Sequence, residues 1–255
     1  MPALHSKRLH SNRAPPRSTE QRCSRRVTTS KEAAIEAVAR PAMAVLGAGS
    51  WGTALAVHLA RTGPPTVLLG RDAAQIAALA AARCNTRYLP MAPFPASLHV
   101  ESDLARAVAA AQELLLAVPS HGFRECLVHV APLLRDGMRV AWATKGFELD
   151  SGKLPHQVAN EVLGIAVPKA VLSGPTFARE VGLGLPTAMT VASRDQDYAL
   201  ALARGLSGQH FRAYASTDVI GVEVGGATKN VLAIGAGISD GLGFGANTRV
   251  ALITR

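Results

Sequence analysis

The 255-residue chain is 48% hydrophobic, enough to build the core of one large domain or two small ones, and its formal net charge of +9 is unevenly spread. Residues 1–40 hold nine Lys or Arg against three acids, whereas the other 215 residues carry 18 basic and 15 acidic side chains. The totals therefore exclude a uniformly basic, nucleic-acid-binding body, and no run of about 18 apolar residues predicts a membrane span.

The basic segment 1–40 lacks an apolar stretch that could act as a secretory signal. Its Arg- and Ser-rich composition would also suit an organelle transit peptide or an arm that touches anionic surfaces, but the plainer expectation is a disordered extension. Nucleic acid is not expected as a partner. Cys23, Cys84 and Cys126 are scattered and odd in number, with no CxxC or metal-ligand spacing. That usage suits a reducing, cytoplasmic setting with no metal site.

From Ala42 onward strands and helices alternate. The apolar run "AMAVLGAG" ends in glycines and leads into "SWGTALAVHLART", whose Leu55 and Leu59 recur at helical spacing. "PTVLLG" (65–70) reads as a second buried strand and "DAAQIAALAAAR" (72–83) as a second helix. "LHV" (98–100), "ELLLAV" (113–118), a helix at 120–134 and "MRVAWAT" (138–144) continue the series. "AVLSG" (170–174), "TAMTVAS" (187–193), a helix at 195–206 and "FRAYAS" (211–216) complete it. Continuous apolar strands alternating with helices predict a parallel sheet covered on both faces, an α/β fold of the doubly wound Rossmann type. After Asp218 the composition changes to a long helix of small residues, the start of an all-α domain. The predicted organisation is an extension over 1–40, a dinucleotide-binding domain over 41–216, and an incomplete helical domain over 217–255.

The stretch "GAGSWG" sets Gly47, Gly49 and Gly52 in the GxGxxG pattern between the first strand and helix. Gly47 would let the chain turn, Gly49 would let a pyrophosphate approach the backbone, and Gly52 would let helix and strand pack closely. The plain alternative is a tight packing turn. At the end of the second strand, where NAD-specific folds usually place an acid for the adenine ribose, stand Arg71 and then Asp72. A guanidinium there suits a 2′-phosphate, which favours NADP(H) over NAD(H); a solvated arginine capping the strand is the alternative reading.

Further stretches fall beyond predicted strand ends, where open sheets bind ligands. Pro119 and Ser120 are expected to line a nicotinamide crevice. Lys145 precedes a glycine in a loop that could meet a substrate. Gly174, Pro175 and Thr176 offer backbone N–H groups and a hydroxyl to an anion. Lys229 lies in a greasy helix with Gly225 and Gly226 one turn before it and Ala233 one turn after. It either snorkels to water or serves as an acid–base group, with Asp218, Glu223 and Asp240 as candidate neighbours.

Taken together, "VLGAGSWGTALA", "RCNTRYLP", "VPSH", "WATKGFE", "LSGPTFAREV", "GLPTA" and "IGVEVGGATKNVLAIGAGISDGLGFGANTRVALITR" resemble the bacterial, NAD(P)-dependent type of glycerol-3-phosphate dehydrogenase. The resemblance implies hydride transfer between NAD(P)H and C2 of dihydroxyacetone phosphate, giving sn-glycerol 3-phosphate for phospholipid synthesis. It makes Lys229 the catalytic acid–base, with Asn230 beside it at the substrate. It assigns Lys145 to both cofactor and substrate, Gly174 and Thr176 to substrate, and Ser50, Trp51, Arg71 and Ala178 to cofactor. NADPH is the expected cofactor, with NAD as the alternative, and a homodimer is left open. Such enzymes continue past the position of Arg255 into a full helical domain. "TRVALITR", with Asn247 read as its N-cap, begins a helix with no stop signal, so the expectation is a piece of a longer enzyme. A non-catalytic dinucleotide-binding fragment is the alternative.

Overall fold

A computed structural model describes residues 42–63 and 65–254; the extension expected over residues 1–40 lies outside them. The first strand, β1 (Met43–Leu46), feeds helix α1 (Ser50–Thr62), and β2 (Thr66–Leu69) feeds α2 (Ala73–Ala82). A short hairpin follows, β3 (Cys84–Asn85) and β4 (Leu89–Pro93), then β5 (Leu98–Glu101) and α3 (Leu104–Ala109). β6 (Glu113–Leu116), α4 (Phe123–Val130), β7 (Arg139–Trp142) and α5 (Pro155–Leu163) come next. The series closes with β8 (Lys169–Ser173), α6 (Ala178–Leu183), β9 (Thr187–Ala192), α7 (Gln196–Leu206) and β10 (Phe211–Ser216). Helix α8 (Val219–Gly241) and helix α9 (Ala246–Thr254) end the described chain.

Eight strands form one sheet in the order β10-β9-β8-β7-β6-β1-β2-β5. Side chains alternate across it as strand geometry dictates. Met43 and Val45 of β1 pack with Leu55 and Leu59 of α1 and with Leu202 and Leu206 of α7. Ala44 and Leu46 face the other way, against Phe123 and Leu127 of α4, Val158 of α5 and Val219 of α8. Both faces are covered, which is why the strands read as unbroken apolar runs.

The expected all-parallel sheet is corrected at one edge. β8 and β9 pair antiparallel (Val171 opposite Ala192, Ser173 opposite Thr190), and β10 runs parallel to β9. Between β8 and β9 the chain passes through the short α6 and returns alongside β8 in the opposite direction. The end of β10 at Ser216 is consequently level with Val171, the middle residue of β8.

By length and composition α8 could cross a membrane, at variance with the reading that no segment could. Its first turns instead lie on the sheet, where Val219, Glu223 and Gly226 are buried. Helix α9 begins at Ala246, so Asn247 sits inside its first turn and is not the cap.

Candidate functional site

The sheet order reverses direction at β1: β2 and β5 extend to one side, β6 and the later strands to the other. Crevices at such switch points, beyond the carboxyl ends of the strands, are where open α/β sheets hold ligands. Here a cleft of 1240 Å³ opens at that point, lined by Gly47, Gly49, Ser50 and Trp51 after β1 and by Ala117, Val118 and Pro119 after β6. Its volume exceeds the roughly 300–1,000 Å³ of ordinary small-molecule pockets.

The glycines have separate steric causes. Gly47 adopts φ +121°, and a Cβ there would lie 2.6 Å from the Ala117 carbonyl oxygen. A Cβ on Gly52 would run into the carbonyl of Gly47, so α1 can start this close to the turn only without one. Around Gly49 nothing lies within 4 Å, leaving the start of α1 open to the cleft. The turn is held from behind by a residue that the sequence did not single out. Asn85 of the hairpin is fully buried, and its Nδ2 donates to the Ala48 carbonyl (3.1 Å) and to Thr53 Oγ1 (2.8 Å).

At the β2 end, Arg71, Asp72 and Gln75 line the cleft. Asp72 is the N-cap of α2, and its Oδ1 accepts from the amides of Ala74 (2.9 Å) and Gln75 (3.2 Å). The facing wall is α4, with Glu125, Cys126 and His129. Burial pushes the Cys126 thiol up to about 11, against a smaller opposing pull from the positive charge of Arg71.

Lys145 and Thr176 also line the cleft, as does Ala178 at the start of α6. Lys145 follows β7 and donates from Nζ to the Gly174 carbonyl at 3.1 Å. Burial first, and the charge of Lys229 second, lower its ammonium to about 8. The two lysines come near because α8 passes over the end of β8. A Cβ on Gly226 would lie 2.7 Å from Ser173 Oγ and 3.8 Å from Lys145 Cγ. Among the described residues, neither lysine has an acid in an ion pair.

Other candidate residues lie outside the cleft lining. Lys229 and Asn230 are exposed and stand beside the cleft, not in its wall. The acids proposed as neighbours of Lys229 are engaged elsewhere. Asp218 caps α8 through the Gly221 amide (2.8 Å), and Asp240 pairs with Arg249 (2.6 Å). Glu223 accepts from Trp142 Nε1 (3.0 Å) and the His156 amide (2.9 Å), and bonds His156 Nδ1 (2.5 Å). Ser120 faces a separate small hollow with Gly146 and Thr144, while Pro119 alone of that pair reaches the cleft. Gly174 contributes its carbonyl to Lys145 from behind the wall; a Cβ there would meet the Ala188 carbonyl at 3.0 Å.

The Trp51 indole N–H, the Gln75 side-chain N–H₂ and the Thr176 hydroxyl are buried without a hydrogen-bond partner among the described residues, and all three residues line this cleft. Unpaired buried donors are costly, and their convergence on one cavity fits a polar ligand that completes them. Sequence reasoning passed over Gln75. The available signal was a lone amide among alanines, three residues after a capping aspartate.

Residues 42–199 match the family described as NAD-dependent glycerol-3-phosphate dehydrogenase N-terminus, and residues 218–255 the corresponding C-terminus. The chain is 58% identical over 215 residues to glycerol-3-phosphate dehydrogenase [NAD(P)+] of Aeromonas salmonicida, covering 84% of this chain and 64% of that protein. It is 56% identical over 214 residues to the protein of the same name from an Escherichia coli O1:K1 strain, covering 84% and 63%. The crystal structure of glycerol-3-phosphate dehydrogenase from Coxiella burnetii superposes with TM-score 0.78 at 44% identity, covering 84% of this chain and 66% of that one. The chain therefore spans a little under two thirds of the length of these relatives.

Proposed function

Starting from the chain's membership of the NAD-dependent glycerol-3-phosphate dehydrogenase family, we propose that it works as the dehydrogenase its relatives are named for, reducing dihydroxyacetone phosphate at C2 to sn-glycerol 3-phosphate. Residues 41–216 form the dinucleotide-binding part and 217–255 begin the helical substrate part. NADPH, with NADH as the weaker alternative, lies along the cleft. The turn at Gly47, Gly49 and Gly52 and the start of α1 at Ser50 and Trp51 would hold its pyrophosphate. Arg71 holds the adenosine end, and Lys145 and Ala178 border the nicotinamide end. When bound, the reduced nicotinamide supplies the two electrons and the hydrogen delivered to C2.

The chain's own residues bind the substrate and manage its charge. The phosphate and ketone oxygens sit between Lys145, Thr176, Lys229 and Asn230, with Gly174 fixing the Lys145 ammonium. Negative charge grows on the C2 oxygen as C2 is reduced. The Lys229 ammonium offsets that charge and delivers the proton, an effect worth roughly 10²–10⁴ in rate. The observation that carries this reading is the approach of Lys145 and Lys229, two ammonium groups from separate elements beside one cleft, with no acid paired to either among the described residues. An anion relieves their repulsion. A cytoplasmic setting belongs to the same reading, supported by the free thiols of Cys84 and Cys126.

The test compares the chain with its Lys229→Met variant. Oxidation of NADPH that depends on dihydroxyacetone phosphate should fall by roughly 10²–10⁴, while NADPH binding stays within about twofold. A variant that turns over at the parent rate refutes the assignment of Lys229.

A further inference from the structure

The adenosine end of the cleft holds an unexplained side chain. Gln75 sits in the first turn of α2, lines the cleft beside Arg71 and Asp72, and keeps its Nε2 buried with no partner. A buried donor left unpaired costs stability, so a group that arrives with an acceptor is favoured there. The neighbouring acid has one oxygen engaged, Asp72 Oδ1, which accepts from the amides of Ala74 and Gln75. Those bonds also fix the turn that carries Gln75.

Arg71 and Gln75 add donors to this rim: a guanidinium, which has no acceptor, and an amide N–H₂ with no partner among the described residues. A ribose 2′-hydroxyl is neutral and both donates and accepts, so it gains less from such donors than a charged acceptor does. A 2′-phosphate dianion only accepts. On the α4 wall the Cys126 thiol feels the positive charge of Arg71, so the guanidinium bears on this part of the cleft although its side chain is exposed.

We propose that Gln75 is a specificity-determining residue whose side-chain amide donates to the 2′-phosphate of NADPH beside Arg71. The proposal rests on the reading of the cleft as a dinucleotide site. It is tested by binding, with no turnover required. The wild-type chain, Gln75→Leu and Gln75→Glu are titrated with NADPH and NADH by reduced-nicotinamide fluorescence, and with adenosine 2′,5′-bisphosphate and ADP by calorimetry.

A hydrogen bond to a charged group converts to about a tenfold loss of NADPH affinity in Gln75→Leu. NADH and ADP should move by no more than about twofold in the same samples, which also checks folding. Gln75→Glu, with a carboxylate facing the phosphate, should lose more NADPH affinity than Gln75→Leu. Equal losses for NADPH and NADH, or NADPH affinity unchanged in both variants, overturn the proposal. A wild-type chain that binds neither nucleotide overturns the dinucleotide reading itself and this proposal with it, and that outcome is distinct from loss of selectivity.

Discussion

Glu223→Ala strips the acceptor from three buried groups at once: the indole N–H of Trp142, the amide of His156 and the His156 ring. The carboxylate is 4% exposed, and burial holds its pKa above the usual carboxylate range, so water does not replace it cheaply. A stranded buried donor costs about 1–3 kcal/mol, and removing Glu223 strands more than one. The expected loss is therefore about 3–5 kcal/mol, a large part of the roughly 5–15 kcal/mol that holds a domain together. Glu223→Gln keeps one oxygen for Trp142 and the His156 amide and should lose only about 1–2 kcal/mol.

The two variants also separate anchoring from chemistry. Lys229 lies six residues further along α8, about 9 Å at the helical rise. Loosening the clamp should lower turnover with dihydroxyacetone phosphate far more than it lowers NADPH affinity, because the glycine turn does not depend on α8. Urea unfolding followed by tryptophan fluorescence reads the stability directly, since Trp142 is itself a partner. An alanine variant within about 0.5 kcal/mol of the parent would show that the buried cluster does not anchor the helix.

Other consequences follow from the turn and from Lys145. Gly49→Ala meets open space, so its stability should match the parent while NADPH binding weakens by about tenfold; unchanged binding would mean that the turn does not face the ligand. Gly52→Ala drives a methyl into the Gly47 carbonyl and should cost about 1–3 kcal/mol in thermal or urea unfolding. Lys145, held down to about 8, is an ammonium below that pH and neutral above it, so the affinity for dihydroxyacetone phosphate should fall as pH rises through about 8. Measuring KM against pH checks this, and Lys229→Met should move the midpoint upward by removing the repulsion. The same group has the opposite sign in stability. Between about 8 and the ordinary 10.5, the unfolded chain holds a proton that the folded chain has released, so its contribution to stability rises with pH across that window.

The strand–turn–helix from Met43 to Thr62 was legible because its apolar run, its glycines and its helical repeat all obey local rules. The reversal of β9 was not, since "TAMTVAS" has the same apolar pattern in either direction. The β3–β4 hairpin was missed because β3 is only Cys84–Asn85 and Pro90 and Pro93 interrupt β4, which suppresses any strand pattern. With the hairpin went Asn85, whose importance lies in contacts with Ala48 and Thr53, more than thirty residues away. Lys145 and Lys229 could each be picked out as odd, but their pairing depends on Gly226 fitting against Ser173, which no spacing in the sequence expresses. The burial of Glu223 was equally invisible, as a glutamate in a small-residue helix reads as solvent-facing.

The backward pair at the sheet's far edge decides where the long helix sets out. Because β10 descends, the chain leaves it level with Val171 in the middle of β8, and α8 then passes Ser173 near the mouth of the cleft. Seven residues from Val219 to Gly226 rise about 10 Å, enough to cover the two-residue climb of about 7 Å from Val171 to Ser173. Had those last strands ascended like their neighbours, the helix would have started at the rim and headed down, taking its amine to the wrong end of the molecule. A change of direction more than a dozen residues before Lys229 thus delivers that side chain beside Lys145.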